Sequence, residues 1–532
     1  MKRALALLLA LVMVFALAAC GQSKPAETAA PAPAEEAAPA EEAAPAEEAA
    51  PAEEAAPAAV KDTLVVAAPD ESATLSTTGH DALQTAFLNV LSYNGLMKLD
   101  YQMNPVCDLA ESYDVSEDGC TWTFHLRQGV KFHNGEELTA DDVVASMVAA
   151  QSEPNVANFT KDYTSVEAAD KYTVVITTPS FTSNLLYSLA NHGNFILPKS
   201  LLESGHNFNE EPCGTGAYKF VKWNHGDSIE YEANEDYFAG APAIKHLTWR
   251  FIPEGTSRSL VLEAGEVDFV IDVDAANLAG IQDNPDLYLD TIDSITLNFL
   301  NLNDTKGFLA DPNVRKALDC AIDKQAVVQI AENGHASVAY AQTPTAFSGS
   351  TTEGCVEGYN PEKAKEYLAA WGGDPAEIEL SIICSNDAKK RAAEVILANL
   401  KDIGVNATIE QMDLATYLDV TAAGEHTGFI GGYSASSMIQ YLMLNFHSSA
   451  IGAANKSRVN DPEIDALIEA ADAARTTEER NEILVKVNTM LNELNPQVSL
   501  YTNQRLYAYK ANLANVNVLP NGYFYVNEWN WA

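Results

Sequence analysis

The sequence predicts an α/β protein with more than one lobe, on three observations. After residue 60, short runs suited to strands alternate with longer amphipathic segments, and Gly and Pro separate them. Hydrophobic residues make up 47% of the 532 residues, which is enough for a large core. Residues 61–532 exceed what one core usually covers, so we expect two or three lobes.

The strands and helices are predicted from local patterns along the chain. The run at 63–67 is apolar, and 121–127 alternates large apolar with polar residues, as strands do. Asp81 and Thr139 are suited to cap two helices whose apolar residues share one face. Further strands are expected at 173–177, 216–222, 228–233, 246–252, 295–302, 378–384 and 405–410. Further helices are expected at 312–331, 361–371, 387–402, 461–474 and 477–494.

The chain is strongly acidic, with 74 Asp and Glu against 32 Lys and Arg and a formal net charge of −42 at pH 7. Binding of nucleic acid through its phosphates needs clustered basic side chains, so this balance argues against it. Attachment to an anionic lipid surface through basic residues is disfavoured for the same reason.

The N-terminal segment has the pattern of an exported, lipid-anchored protein. Two basic residues precede an apolar run that is short for a membrane span, as in a secretory signal. The run ends at 17–21 in Leu-Ala-Ala-Cys-Gly, which resembles the bacterial lipobox. We therefore expect a signal peptide at 1–19 and a lipid anchor on Cys20, which would hold the protein outside the cytoplasm. The alternative is an ordinary signal peptide with an incidental Cys.

Residues 20–60 predict an extended tether. The hexad Ala-Ala-Pro-Ala-Glu-Glu repeats from Ala37 to Glu54. Regular Pro blocks a continuous helix, and paired Glu residues repel one another. No large apolar residue is present to form a core, so we expect disorder.

No catalytic or metal-binding motif is present in the sequence. It lacks GxSxG, SxxK, HExxH, GxxxxGK[ST] and GxGxxG, and no CxxC pair indicates zinc or redox chemistry. We expect no catalytic residue, no metal and no cofactor, although paired carboxylates of a secreted hydrolase remain an alternative. Free thiols and disulfides are both open for the six other cysteines, which are Cys107, Cys120, Cys213, Cys320, Cys355 and Cys384.

Five stretches, in order and at matching spacing, resemble a known family from about residue 63 to the C-terminus. It is the oligopeptide, dipeptide and nickel-binding family of extracellular solute-binding proteins, the binding components of ABC importers. The stretches are WTFHLRQGVKFHNG (122–135) with LTADDV (138–143), PCGTGAY (212–218), LEAGEVD (262–268), LNF (297–299) with PNVRKAL (312–318) and AIDK (321–324), and YNPEKAK (359–365).

These motifs identify a scaffold more than a substrate. Gly214 and Gly216 suit a turn with positive φ that leads into a strand. Arg127 and Arg315 are expected to bridge or cap within the scaffold and not to contact a solute.

The resemblance implies a hinged, two-lobed periplasmic-binding-protein-like fold of type II, with an extra domain inserted in the first lobe. A solute would bind between the lobes and close them. The first lobe would comprise 61–98, 211–304 and 498–532, the inserted domain 99–210, and the second lobe 305–497.

Two anchors of dipeptide-binding relatives are missing. An aspartate that holds the peptide amine would fall in 431–438, which contains no acid, and an arginine that meets the carboxylate would fall near 384–387, which contains no Arg. A buried charge without its partner is costly, so this argues against a plain dipeptide. Longer peptides and uncharged polar solutes fit better, and we expect little contribution from the termini of a longer peptide.

Candidate binding residues come from loops that would face the cleft. Tyr433 stands where relatives carry Trp and is the strongest single candidate, because an aromatic face packs on a solute while its hydroxyl bonds. The candidates are Asp70, Glu71, His80, Asn386, Tyr433, Ser434 and Ser436.

The sequence thus predicts a monomeric, lipid-anchored protein that captures a small solute, a peptide first, and delivers it to an ABC permease and its ATPase. The membrane is a partner through the lipid anchor only. Three alternatives are a binder of an oligosaccharide or similar polar solute, a lipid-anchored hydrolase, and a surface receptor that hands its ligand to a signalling partner.

Overall fold

A computed structural model of the chain describes residues 61–80, 82–274 and 277–532. The expected signal peptide, Cys20, the tether and Asp81 lie outside the described residues. Within these three ranges, no helix is both long and apolar enough to cross a membrane.

The strands are β1 (Thr63–Ala68), β2 (Met97–Leu99), β3 (Pro105–Cys107), β4 (Ala110–Val115), β5 (Thr121–Leu126), β6 (Ser165–Asp170), β7 (Thr173–Thr177), β8 (Tyr218–Asn224), β9 (Ser228–Ala233), β10 (His246–Phe251), β11 (Phe269–Ile271), β12 (Leu287–Leu302), β13 (Ala336–Val338), β14 (Glu379–Cys384), β15 (Asn406–Gln411), β16 (Gly428–Tyr433), β17 (Gln497–Lys510), β18 (Leu513–Ala514) and β19 (Asn530–Trp531).

The helices are α1 (Leu83–Ser92), α2 (Ala140–Gln151), α3 (Ala157–Thr160), α4 (Asn184–Leu189), α5 (Lys199–Ser204), α6 (Gly255–Glu263), α7 (Leu278–Gln282), α8 (Pro312–Ala321), α9 (Lys324–Ala331), α10 (Pro361–Trp371), α11 (Asp387–Asp402), α12 (Leu414–Ala423), α13 (Met438–Asn445), α14 (Pro462–Ala473) and α15 (Thr477–Leu494).

Two long antiparallel strands, β12 and β17, join the two halves of the main sheet. The strand order is β15-β14-β16-β12-β17-β11-β1-β10-β9-β8, and β13 also pairs with β17. Residues 287–293 of β12 pair with 504–510, and the register breaks before Leu297 pairs with Thr502. The break therefore divides the part of the pair beside β11 from the part beside β16.

A separate four-stranded sheet lies in the segment expected to be inserted. Its strand order is β4-β5-β7-β6, and its neighbours are antiparallel. The strands β2 and β3 form a hairpin that precedes it.

The two halves of the main sheet have different cores. Phe269, Phe524 and Trp529 pack with ring centroids 4.9–5.4 Å apart beside β11, and Trp249 extends this cluster. Beside β14 the buried residues are mainly aliphatic and come from β12, β14, α8, α9 and α11.

Most predicted elements are confirmed, and three helices match residue for residue, at 361–371, 387–402 and 477–494. The prediction of one helix over 312–331 is wrong, because Asp323 accepts a hydrogen bond from the backbone N of Ala326 and begins a second helix there. The strand expected at 295–302 is the second half of β12, and its partner β17 was not predicted.

Gly214 and Gly216 do not have the predicted positive φ. A glycine is needed at both positions for a different reason, because the backbone there closely approaches the end of α1. A Cβ would lie 2.3 Å from the carbonyl oxygen of Ser92 at Gly214 and 2.3 Å from that of Leu91 at Gly216.

The two arginines have the scaffold roles that were predicted. Arg315 is buried and donates to the carbonyl oxygens of Leu494 and Asn495 at the end of α15, where a cation also meets the helix dipole favourably. Arg127 donates to the carbonyl oxygen of Asp108 at 2.6 Å. The six cysteines of the described part are free thiols.

Candidate functional site

A cavity of about 590 Å³ lies beside the register break of β12 and β17. Its volume falls within the range of roughly 300–1,000 Å³ that is usual for small-molecule sites. Its lining combines apolar, hydroxyl, amide and two cationic side chains: Ala82, Leu83, Ala86, Leu99, Met103, Asn158, Phe159, Lys161, Tyr187, Asn191, His192, Ile295, Thr296, Tyr433, Ser434, Ala435, Ser436, Gln440, Leu444, Arg505, Asn521 and Tyr523.

One side of the cavity, which we call the hydroxyl wall, consists of residues 433–436 and Gln440. The end of β16 and the start of α13 position it. Ser437 caps α13 by accepting from the backbone N of Gln440 at 3.1 Å. The side-chain oxygen of Gln440 in turn accepts from the backbone N and the hydroxyl of Ser436, both at 2.8 Å. This local network fixes the loop.

Tyr433 is the aromatic residue of the hydroxyl wall. It is half-buried, its ring meets that of Tyr441 edge-on at 5.9 Å, and burial raises its pKa above the usual value. Its hydroxyl, like that of the exposed Ser434, bonds to no other described residue. Both hydroxyls are therefore available to a solute.

A second set of lining residues, which we call the cationic wall, comprises Lys161, Arg505 and His192. Lys161 follows α3 and is exposed. Arg505 is half-buried on β17, opposite Ile292 in the last regular stretch before the register break.

His192 reaches the cavity from a stacked pair with His80, whose ring centroid lies 4.5 Å away at an interplanar angle of 9°. Nδ1 of His80 accepts from the backbone N of Ala82, so its Nε2–H donates to Asn89 at 2.9 Å. Burial, and to a lesser extent the neighbouring His80, lowers the pKa of His192 to about 3. His192 is therefore a neutral wall residue at physiological pH.

The structure brings three of the seven predicted binding residues to the cavity, namely Tyr433, Ser434 and Ser436. His80 does not line the cavity and instead stacks on His192, which does. Asn386 caps α11 by accepting from the backbone N of Lys389 at 2.9 Å and does not line the cavity.

The two predicted acids lie elsewhere as well. Glu71 accepts from the indole N–H of Trp223 at 2.9 Å and from the backbone N of Gly226 at 3.0 Å. Asp70 is exposed. Neither lines the cavity.

Sequence reasoning missed the cationic wall. Lys161 is the C-cap residue of α3 and His192 begins a short 3-10 helix, and neither belongs to a motif. Arg505 lies on the strand that was not predicted. One signal was present, since Arg505 is an isolated cation directly before the apolar run at 506–508.

In the described ranges, no group of three or more His, Cys, Asp or Glu side chains is placed to hold a metal ion. What the cavity offers a solute is an aromatic face, hydroxyls, amides and two cations.

Comparison with known proteins bears on the same scaffold. The model of the bacterial extracellular solute-binding proteins, family 5 (middle), matches residues 104–453. Heme-binding protein A of Haemophilus influenzae is 31% identical over 427 residues, which cover 73% of this chain and 77% of that protein. Glutathione-binding protein GsiB of Pectobacterium atrosepticum is 31% identical over 360 residues, covering 65% and 69%.

Among solved structures, HbpA2 from Haemophilus parasuis matches with a TM-score of 0.83 at 27% identity, over 88% of this chain and 100% of that one. This agreement confirms the predicted α/β, periplasmic-binding-protein-like fold.

Proposed function

The chain belongs to the bacterial extracellular solute-binding proteins of family 5, which capture solutes for ABC transporters, and from that premise we propose that its cavity binds a short peptide. The observation that carries this proposal is the lining. Hydroxyls of Tyr433 and Ser434 and amides of Asn158, Asn191 and Asn521 converge on one space. Such neutral donors and acceptors match the N–H and C=O groups of a peptide backbone.

The names of the relatives support a peptide without deciding it. One is named for heme and the other for glutathione, and glutathione is itself a tripeptide. An oligosaccharide would also use an aromatic face and hydroxyls, so it is the alternative solute that the test must separate.

We propose that the lobes have the boundaries predicted from the sequence, 61–98, 211–304 and 498–532 against 305–497, with 99–210 inserted. Cavity residues then come from all three parts. The register break at 294–296 adjoins the cavity, because Ile295 and Thr296 line it. A solute that contacts both walls would favour the closed form, since only that form makes both sets of contacts.

We also propose a lipid anchor on Cys20 and a monomer that binds one solute without turning it over. Members of the family are extracytoplasmic binding proteins, and the lipobox-like run supports the anchor. The protein would pass its solute to a permease and ATPase. The variant Cys20→Ala is expected to leave membranes and stay folded, which detergent partition and thermal unfolding would check.

Native mass spectrometry of the Cys20→Ala protein, exported by its own host, tests the solute class. We expect one short peptide per chain. A retained oligosaccharide would replace the peptide proposal, and a solute recovered in cleaved form would contradict a pure binder.

A further inference from the structure

The charge balance of the cavity is opposite to that of the chain. Asp and Glu outnumber Lys and Arg by 74 to 32 in the sequence. Among the described residues, however, the charged side chains that line the cavity are Lys161 and Arg505, both cationic. An acidic protein repels anions at long range, so two cations inside the cavity reverse the local field where a solute would lie.

The guanidinium of Arg505 packs close to Gly522. A Cβ added at Gly522 would lie 3.3 Å from both Cζ and Nε of Arg505 and 3.4 Å from the ring of Phe87. A larger residue at 522 would therefore crowd the guanidinium and require it to shift. The Nε–H of Arg505 is buried and meets no acceptor. A buried donor without a partner is costly, and a bound acceptor would relieve that cost.

Asp272 and Tyr507 are the neighbours of Arg505 that bear on its charge. Asp272 lies within its field: burial raises the pKa of Asp272, and Arg505 and Arg258 partly offset that rise. No described carboxylate forms an ion pair with Arg505. Tyr507 is a second neighbour, and its hydroxyl is neutral because burial raises its pKa.

Lys161 adds a second cation from a different element. Its side chain is exposed, and no described residue bonds to its ammonium. Because it is exposed, its attraction for an anion is weaker and more sensitive to salt than that of Arg505.

Building on the proposed function, we propose that Arg505, assisted by Lys161, binds a carboxylate of the peptide, so that the cavity selects peptides by a carboxylate and not by their α-amine. The planar fork of Arg matches a carboxylate with two parallel hydrogen bonds. No described carboxylate lines the cavity to receive an ammonium group. The proposal thus makes a carboxylate of the peptide important for binding and its α-amine unimportant.

The test compares pooled N-acetylated tripeptides that lack Asp and Glu, as C-terminal acids and as C-terminal amides. A third, amidated pool includes Asp and Glu, so that a side-chain carboxylate is distinguished from the C-terminal one. Binding of each pool to the Cys20→Ala protein is measured by thermal shift. Native mass spectrometry then identifies the peptide of the pool that binds most tightly, and calorimetry measures the affinity of that peptide. We expect at least one carboxylate pool to bind about tenfold more tightly than the neutral amides, and removal of the acetyl group to change affinity by less than about threefold.

Variants then assign the preference to the two cations. Arg505→Met should lower the affinity for the acid about tenfold and leave acid and amide alike, while Arg505→Lys keeps the charge and should retain part of the preference. Lys161→Met should cost about threefold. Lys401→Met, which removes an exposed lysine at the end of α11 outside the cavity, should change nothing.

The outcomes separate the two proposals. If acids and neutral amides bind wild type equally, the carboxylate inference is wrong while peptide binding stands. If no pool binds, the peptide function itself fails and the inference fails with it. If Arg505→Met folds and keeps the acid preference, Arg505 is not the group that binds the carboxylate.

Discussion

The two walls of the cavity are built in different ways. The hydroxyl wall is one continuous segment, residues 433–436, extended by Gln440 from the next helix. The cationic wall gathers Lys161, His192 and Arg505, which are far apart in the chain. Local hydrogen bonds fix the hydroxyl wall. The cationic wall depends instead on strand pairing, helix packing and a stacked histidine pair.

This difference separates two kinds of specificity. The hydroxyl wall presents neutral donors and acceptors, so its proposed contribution is affinity for a polar solute with little discrimination. The cationic wall presents charge, so under the proposed carboxylate contact it would favour a solute that carries an anion. If the walls are independent, a substitution in one of them should leave the contribution of the other to stability and affinity unchanged.

The largest effect is expected at Gly216, where the backbone closely approaches α1. Gly216→Ala would place a Cβ 2.3 Å from the carbonyl oxygen of Leu91 in α1, which also contributes Leu83 and Ala86 to the cavity. Backbone cannot move aside as a side chain can, so we expect the free energy of unfolding to fall by about 3 kcal/mol. Urea denaturation measures it.

Gly307→Ala is the matched control, because a Cβ there meets nothing within 4 Å. It should leave the free energy of unfolding within about 0.5 kcal/mol of wild type. Equal stability of the two variants would show that the fold tolerates a Cβ at position 216 in spite of the close approach to α1.

The second prediction concerns the free energy of unfolding at acid pH and its dependence on His192. The pKa of His192 is about 3 in the fold, against an ordinary value of 6.5. Between these values the unfolded chain binds more protons than the folded one, so stability is lost as the pH falls from 6.5 towards 3. From pH 6.5 to 4.5 this one histidine should cost roughly 2 kcal/mol.

His192→Phe keeps a ring against His80 but does not titrate. Its free energy of unfolding should therefore fall less steeply with acid over the same range, whatever its absolute stability. His133 and His426, whose burial lowers each pKa to about 4, remain in both proteins and set the common background. Parallel pH profiles for the two proteins would contradict a neutral, buried His192.

Much of the fold was predictable because its signals are local. Asn360 and Thr476 accept from backbone N–H groups three residues on and begin α10 and α15 where the sequence indicated. Asn386 shows the limit of such reasoning. The same capping signal was taken for a solute contact, and only the position of α11 relative to the cavity distinguishes the two roles.

The cationic wall was not predictable from local pattern. The position of Arg505 depends on the pairing of β17 with β12, between residues more than 200 positions apart, and on the packing of its guanidinium close to Gly522. Nothing in the sequence near Arg505 specifies either condition. The proposed carboxylate contact departs from the expectation that both peptide termini would matter little, and that expectation stays untested.

The third prediction tests the aromatic face of the hydroxyl wall. Tyr433→Ala removes the ring and hydroxyl and should weaken the tightest peptide of the acid pool by about 1–2 kcal/mol. Tyr433→Phe removes the hydroxyl alone and should cost about 1 kcal/mol or less. Neither should change the ratio between acid and amide, because Tyr433 carries no charge at neutral pH. Calorimetry gives both quantities, and a changed ratio would show that the walls are coupled.

The smallest effects should distinguish two serines in that wall. Ser434 is exposed and bonds to no described residue, so Ser434→Ala should lower peptide affinity by about 0.5 kcal/mol and leave stability unchanged. The hydroxyl of Ser436 already donates to Gln440 at 2.8 Å. Ser436→Ala should therefore lower the free energy of unfolding by about 0.5–1 kcal/mol with little change in affinity. Calorimetry and urea denaturation of both variants give a crossed pattern if this holds. The reverse pattern would mean that Ser436 turns from Gln440 to the solute on binding, and that the hydroxyl wall is rearranged by the peptide.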